Sequence, residues 1–521
     1  MKISELNYAD TGAFSSLVLD YLNHSPKLKP FYHRFPETSS FLEQIREKTF
    51  TEEQRKQLHL ALSKQYQSVP QVAGAVQQNI DLLLQPNTYT VTTGHQLNIF
   101  TGPLYFIYKI VTAINTCKAL QQAYPQYNFV PVYWMATEDH DFAEINHFNL
   151  FGKRYEWQTE QSGAVGRYTT EGLEQVLEAL PEQYPLFKQA YTNSANLADA
   201  TRYITHELFG EYGLVSIDGD DAALKKALIP VLEKELLEQA SNQQVNQVNE
   251  TLAAHYKPQV YSRPINLFYL DEGLRERIEQ EGEHTYKVLN TDLTFTKEEI
   301  LKLVQEHPEK FSPNVILRPL YQELILPNLA YIGGGAEVAY WMQLGQVFQQ
   351  NKVPFPILML RNSALYISRA NASRMHKLGL LPQELFKDFQ ELKKQLAAKL
   401  HDVEVNLQSQ QNAIAEQFKQ IEELAAAIDP TVAKTVAAEA QKVQNSIQNL
   451  EKKISKAQDT KFDTVFKQLE NLKEKLFPGG ALQERVDNLL TYQTNNPDFI
   501  PAMVAAFEPL AFKFTILEEE E

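Results

Sequence analysis

Residues 87–147 read NTYTVTTGHQLNIFTGPLYFIYKIVTAINTCKALQQAYPQYNFVPVYWMATEDHDFAEINH, and this stretch decides the fold. Thr88-Tyr89-Thr90-Val91-Thr92 is β-branched and aromatic, the composition of a strand. It runs into a glycine turn, Thr93-Gly94-His95-Gln96, whose last two side chains can donate hydrogen bonds. Thr101-Gly102-Pro103 then opens a helix, in which Phe106, Ile110, Ala113, Ile114 and Cys117 recur at three- and four-residue spacing. Pro103 suits the first turn, where its missing N–H would be unsatisfied anyway. A second strand, 129–135, breaks into Thr137-Glu138-Asp139-His140-Asp141. Strand, turn, helix, strand and a polar cluster describe a parallel α/β unit, with the cluster at the edge of the sheet where ligands bind.

Outward from this unit the alternation is interrupted and resumes. Residues 1–86 read as mostly helical, with an aromatic loop at 31–36 that is expected to pack on the core and that carries His33 and Arg34 as secondary ligand candidates. Residues 153–170 read as a short hairpin, and 151–205 as an insertion in the sheet. A strand over 214–218 follows, with Asp220 as the expected cap of the next helix. A strand over 264–270 precedes a charged second insertion, which contains the capping-box pattern Thr296-Lys297-Glu298-Glu299. Residues 329–332 form a strand that runs through Gly333-Gly334-Gly335 into a helix, and 355–360 form another strand. From 383 to 476 an apolar stripe at three- and four-residue spacing (Leu400, Val403 and Leu407 among it) breaks at Asp429-Pro430, a cap followed by a first-turn proline. This is an antiparallel helical coiled-coil hairpin, each arm about 65 Å long at ~1.5 Å per residue. The closing glutamates read as a frayed end. The expected division is a core with N-terminal helices over 1–150, a first insertion over 151–205, core over 206–270, a second insertion over 271–310, core over 311–380, the coiled coil over 381–478, and a tail over 479–521 that packs on the core.

The chain has 521 residues, enough for two to four domains. Its 49 basic and 65 acidic residues give a net charge of −16, which argues against gripping a nucleic-acid backbone. Cys117 is the only cysteine, so neither an intrachain disulfide nor a cysteine-based zinc site is available. No segment approaches ~18 uninterrupted apolar residues, and the N-terminus lacks a signal-peptide pattern. A cytoplasmic protein without a membrane span is expected.

Three constellations carry chemistry. Gly94, His95 and Gln96 with Thr101 and Gly102 offer N–H groups, hydroxyls and an imidazole to an anion; a plain glycine turn is the alternative. Glu138, Asp139, His140, Asp141, Glu144 and His147 place six titratable groups within ten residues, suited to acid–base chemistry, amine recognition or a metal; a solvated acidic turn is the alternative. Gly333 and Gly334, with Gly335, precede a helix that carries Glu337 and Tyr340, and could cradle phosphate, although the P-loop Lys-Ser/Thr is missing. Arg318 is a partner for a carboxylate or phosphate. Cys117, on an apolar stripe, reads as a core residue.

Taken together, Thr93-Gly94-His95-Gln96, Phe100-Thr101-Gly102-Pro103-Leu104-Tyr105 followed by Tyr108-Lys109, and Glu138-Asp139-His140-Asp141 with Glu144 resemble the bacillithiol biosynthesis cysteine-adding enzyme family. Ser312-Pro313-Asn314, Leu317-Arg318-Pro319 and Tyr331-Ile332-Gly333-Gly334 with Glu337 and Tyr340 extend the resemblance along the chain. Two positions depart from the family pattern: His95 stands where glutamine is common, and Gly335-Ala336 replaces Pro-Gly. The resemblance implies a Rossmann-like core akin to class I aminoacyl-tRNA synthetases, with two connecting insertions, a coiled coil and a homodimer. It also implies a ligase that joins the cysteine carboxyl to the amine of glucosaminyl-malate. Such a ligase should use ATP to activate the carboxyl, as an adenylate or, failing that, an acyl-phosphate. Glu138, Asp139, His140 and Asp141 would then bind ammonium or sugar groups and supply a base. The glycine turns, Arg318, Glu337 and Tyr340 would hold substrate or nucleotide. Two other classes remain open from the residues: a metal-dependent hydrolase built on His140, Asp141 and His147, and a coiled-coil scaffold.

Overall fold

Five strands form the sheet that the opening stretch foretells. In the computed structural model, which describes residues 1–400 and 405–520, these are β1 (Thr88–His95), β2 (Asn128–Met135), β3 (Val215–Asp218), β4 (Asn328–Gly333) and β5 (Ile357–Leu360). They hydrogen-bond in the order β5-β4-β1-β2-β3, and every pair is parallel. This is the order of a doubly wound, Rossmann-like sheet, and the chain reverses direction across it between β1 and β4, the point at which such sheets bind ligands. Pro131 lies inside β2 without breaking it. The pairing of β2 with β3 begins only at Val132, so the missing N–H of proline removes no ladder bond on that side.

Three helices of this region matter for the site: α1 (Tyr105–Ala123), α2 (Arg318–Ile325) and α3 (Gly335–Trp341). Helix α1 is buried along most of its first three turns. Its Ala113, Cys117 and Leu120 join Val91, Phe129, Ile332 and Met359 in one core cluster, each large side chain contributing about 1.5–3 kcal/mol by leaving water. Cys117 is a core residue, as its stripe indicated.

The chain forms two compact units, one comprising Ile3–Leu365 and Ala481–Ile516, the other Met1–Lys2, Tyr366–Gly480 and Leu517–Glu521. The first unit carries the parallel sheet and a second, antiparallel sheet of five short strands within 267–313. The strand expected in the core at 264–270 belongs to this second sheet: Leu267–Asp271 pairs with Leu274–Glu281 on one side and with Phe311–Pro313 on the other. An apolar run announces a strand but not the sheet that strand will join. The hairpin expected over 153–170 lies upstream instead, pairing His147–Leu150 with Lys153–Glu156. Phe151 and Gly152 turn it with φ of 51° and 78°, the two positive values that a tight two-residue hairpin needs. Residues 165–167 are a short 3-10 turn. The helix after β3 is capped by Asp221, not Asp220, which leaves Asp220 to other partners.

In the second unit, α4 (Phe389–Leu400), α5 (Gln408–Ile428) and α6 (Pro430–Leu476) form the coiled coil. Asp429 caps α6 by accepting the Thr431 N–H at 2.7 Å, and Pro430 takes the first position. Val403 lies outside the described residues, as does the Leu400 side chain. Near the α5–α6 turn the buried positions are Ala425 and Ala433, while Ile421, Leu424, Ile428 and Val432 are exposed. The glutamates before the C-terminus are not frayed. Glu518 is buried and pairs with His376 at 2.8 Å. Glu519 accepts the Arg369 N–H at 2.8 Å, and Glu520 accepts the N-terminal ammonium at 2.7 Å. Glu521 lies outside the described residues. Among the described residues no helix is long and apolar enough to cross a membrane.

Candidate active site

The carboxyl ends of the five strands open on one cavity of about 830 Å³. Gly94, His95 and Gln96 line it from β1, Thr137 to His140 from just beyond β2, and Gly219 from just beyond β3. Gly334 to Glu337 line it from beyond β4, and Arg361 from beyond β5. The second sheet contributes Phe268, Arg275 and Arg277, and the segment after the coiled coil contributes Arg485.

The wall at the switch point is built of buried charge. Lys109, on α1, donates to the Gly94 carbonyl at 2.8 Å and forms an ion pair with Glu337. Glu337 also accepts the Tyr331 hydroxyl at 2.7 Å and the Gly334 N–H at 2.9 Å. Burial pushes the Glu337 carboxyl up, yet Lys109 and these hydrogen bonds hold it below its ordinary range. Gly94 sits close under Tyr331: a Cβ there would meet the tyrosine hydroxyl at 3.0 Å, and the ring would have to shift by a few tenths of an ångström. Arg318, on α2, sits among aromatic rings, its guanidinium 5.7 Å from the Trp134 ring centre and 5.8 Å from that of Tyr331, with Tyr340 beside it. Arg361 is anchored by Glu484 at 2.7 Å. His95 stacks on Phe106, ring centres 5.0 Å apart. Burial, then Lys109 and Arg361, push its pKa well down, so the imidazole is neutral. Three buried nitrogens of this wall make no hydrogen bond among the described residues: His95 Nε2, Arg318 Nη2 and Arg361 Nε.

The opposite wall is a loop braced by side chains from elsewhere. The Gln96 amide donates to both Asp139 (2.8 Å) and Glu144 (2.6 Å). Asp139 also accepts the His140 N–H at 2.8 Å. Arg275 donates to His140 Nδ1 at 2.5 Å and to the Ser312 hydroxyl at 3.1 Å. Under the loop, Glu138 forms an ion pair with Lys225, and Asp220 lies 3.5 Å from Lys225 and 2.7 Å from Arg167. Burial raises the Glu138 carboxyl, with Lys225 opposing and Asp220 adding to the rise.

The sequence candidates therefore separate. His95, Gln96, Glu138, Asp139, His140, Arg318, Gly334, Glu337 and Tyr340, with Gly94, line one cavity. Thr101, Gly102, Asp141 and Gly333 do not. Phe100, Thr101 and Gly102 have φ of 51°, 70° and 59°. The side-chain amide of Asn488 clamps the Phe100 and Gly102 carbonyls, each at 2.7 Å, so this turn is an internal brace and not an anion seat. Asp141 is exposed. In the Gly333–Gly335 loop, Glu337 takes the Gly334 N–H, while Gly334 and Gly335 line the cavity. His33 and Arg34 pair with Glu47 at 2.9 and 2.5 Å. His147 bonds Asn146 at 3.0 Å, and among the described residues no three His, Cys, Asp or Glu side chains gather as a metal would need. The hydrolase reading loses its geometry.

Lys109, Arg275 and Arg361 were not among the sequence candidates. Lys109 had a signal, a lysine amid the apolar residues of α1, and Arg361 directly follows a strand. Arg275 had none.

Residues 1–362 match the family model described as Bacillithiol biosynthesis BshC, N-terminal Rossmann-like domain. Residues 364–519 match the model described as Bacillithiol biosynthesis BshC, C-terminal coiled-coil domain. Relatives named "Putative cysteine ligase BshC" are 45% identical in Flavobacterium psychrophilum, over 98% of this chain and 99% of the relative, and 43% identical in Flavobacterium johnsoniae, over 98% and 99%. Another in Cytophaga hutchinsonii is 41% identical over 98% of each chain. A solved arginyl-tRNA synthetase structure from Campylobacter jejuni, 9% identical with a TM-score of 0.20 over 84% of this chain and 99% of that one, is too loose an overlay to bear on the fold. With both domain models matched in order along nearly its whole length, the chain belongs to the bacillithiol biosynthesis BshC family.

Proposed function

We propose that this chain is a ligase that joins the carboxyl of cysteine to the amine of glucosaminyl-malate, with ATP activating the carboxyl. One observation carries the reading. Of the acids that line the cavity, Glu337 is ion-paired with Lys109 and Glu138 with Lys225, while Asp139 and Glu144 accept from the neutral Gln96 amide and keep their charge for an amine. The cations are not all so matched: Arg318 and Arg361 retain buried N–H groups without hydrogen bonds among the described residues, and Arg263, Arg277 and Arg485 line the cavity from exposed positions. In a chain of net charge −16, such a cavity selects anions. Nucleotide phosphates and the two carboxylates of a malyl group are anions of this kind, and arginine binds both through paired N–H donors.

The buried nitrogens of His95, Arg318 and Arg361 would hold the phosphates of ATP, which when bound supplies the leaving group that makes the cysteine carboxyl an acyl donor. Asp139 and Glu144, aligned on Gln96, bind the ammonium form of the attacking amine and take its proton. The aromatic residues around Arg318 keep water from the reacting carboxyl. A cavity of about 830 Å³ beside this loop favours ligand binding over a scaffold role. A homodimer is part of the reading, supported by the exposed apolar residues Ile421, Leu424, Ile428, Val432, Leu450 and Ile454 on the helical arm. So is a reducing, cytoplasmic setting, supported by the single buried cysteine.

The test is incubation with ATP, cysteine and glucosaminyl-malate, with the product read by mass. An amide product that requires ATP is expected, and Arg318→Gln should lower kcat/KM by about 10²–10³. A wild-type protein that binds neither cysteine nor nucleotide, or an Arg318→Gln variant of undiminished rate, would overturn the reading.

A further inference from the structure

We propose that Arg275 is a positioning residue that holds His140 as the neutral imidazole with its proton on Nε2, so that His140 serves the cavity as a hydrogen-bond donor and not as the base. The inference rests on the ligase reading only for the identity of the oxygen that His140 would meet. The rest is geometry. A guanidinium carries five N–H donors and no acceptor. Its Nη1 is 2.5 Å from His140 Nδ1, so Nδ1 must offer its lone pair, and a neutral ring then carries its proton on Nε2. A proton on Nδ1 would set N–H against N–H and break the contact.

Arg275 is not free to swing away. Its Nε donates to the Ser312 hydroxyl at 3.1 Å, and its guanidinium lies 4.0 Å from the Phe268 ring centre. Ser312 and Phe268 are themselves paired residues of the antiparallel sheet. The same Phe268 ring supports His140, ring centres 5.3 Å apart. The groups facing His140 are Arg275, Asp139, Asp141 and Glu276. Burial and then Arg275 lower the imidazole's pKa, against the three carboxylates, which agrees with a neutral ring at pH 7. His140 lines the cavity, and among the described residues no hydrogen bond engages its Nε2. A neutral N–H donor aimed at a carbonyl or phosphoryl oxygen stabilises developing negative charge without giving up its proton. Removing a proton from the attacking amine then falls to the carboxylates on Gln96.

The experiment uses the full chain labelled with 15N-histidine, His140 being assigned by difference from a His140→Gln variant. Wild type should show the neutral form of His140 at pH 7–8 as the Nε2–H tautomer. Arg275→Gln should mix the tautomers, move the titration of His140 upward and lower kcat more than it changes KM. Arg275→Lys, which keeps a donor, should restore part of both. His140→Gln, which keeps an N–H donor, should retain at least tenfold more activity than His140→Glu, which keeps a base. An Nδ1–H tautomer in wild type, or a glutamate variant more active than the glutamine one, would overturn the proposal. The tautomer is read without substrates, so it decides this point even where Arg275→Gln fails to fold. Absence of product from wild type would count against the ligase reading alone.

Discussion

The two walls of the cavity hold charge in opposite ways. At the switch point, buried Lys109 and half-buried Glu337 are bonded to groups on or directly beyond the sheet strands, the Gly94 carbonyl, the Tyr331 hydroxyl and the Gly334 N–H. Across the cavity, Asp139 and His140 stand on a half-exposed loop, and their partners Gln96 and Arg275 lie 43 and 135 residues away in sequence. In the first wall the sheet itself bonds the Lys109–Glu337 pair, while the nitrogens of His95, Arg318 and Arg361 are left to face the cavity. The second depends on long side chains from separate segments. Binding energy against anions belongs to the first wall and adjustment of proton positions to the second, and the two walls should fail differently when a single side chain is removed.

The largest expected effect is on the sheet side. Lys109→Met leaves the half-buried Glu337 carboxylate without its cation, a loss of about 3 kcal/mol in unfolding free energy, the low end for a broken buried pair because the carboxylate also faces the cavity. Urea denaturation measures it. Removing both charges in Lys109→Met/Glu337→Met should recover at least about 1 kcal/mol relative to the sum of the single variants, since two residues in contact couple. On the loop side, Gln96→Leu deprives Asp139 and Glu144 of the donor they share. Both carboxylates remain within reach of water, so stability should fall by only about 1–2 kcal/mol. Catalysis should fall by about 10–100-fold, because the proton-handling pair is no longer aligned. Equal stability losses from Lys109→Met and Gln96→Leu would erase the distinction between the walls.

The same contrast governs what was legible in the sequence. The switch-point wall is written locally: a strand with its glycine turn at 88–96, and a strand running through glycines to Glu337. The rule that ligands gather at strand carboxyl ends points to Arg361 as readily as to His95. The Gly333–Gly335 loop looks fully open in sequence, yet a glutamate three residues into the helix reaches back to the N-cap N–H, as Glu337 does to Gly334. Thr101-Gly102 resembles an anion turn in sequence, and only Asn488, 386–388 residues away, makes it a brace. Arg275 is beyond any local reading, because the partner sheet of 267–271 is set by packing and not by its own apolar pattern.

The smallest effect sharpens the sheet side further. His95 is half-buried with its Nε2 enclosed, and its pKa is pushed well down by desolvation and then by Lys109 and Arg361, which keeps it neutral. A histidine held below its unfolded value of about 6.5 does not weaken the fold above that pH. As the pH falls through 6.5, the unfolded chain takes up a proton that the folded one refuses, so stability drops until the folded pKa is reached. By pH 5.5 this amounts to about 1 kcal/mol from one such group. His140 and His147, also shifted down, act in the same direction, so the signal is the difference between wild type and His95→Gln. Glutamine keeps a hydrogen-bonding side chain and cannot titrate. Urea midpoints at pH 7.5 and 5.5 should therefore converge more closely for His95→Gln than for wild type, and an unchanged gap would mean that His95 accepts its proton in the folded state and reaches the cavity charged.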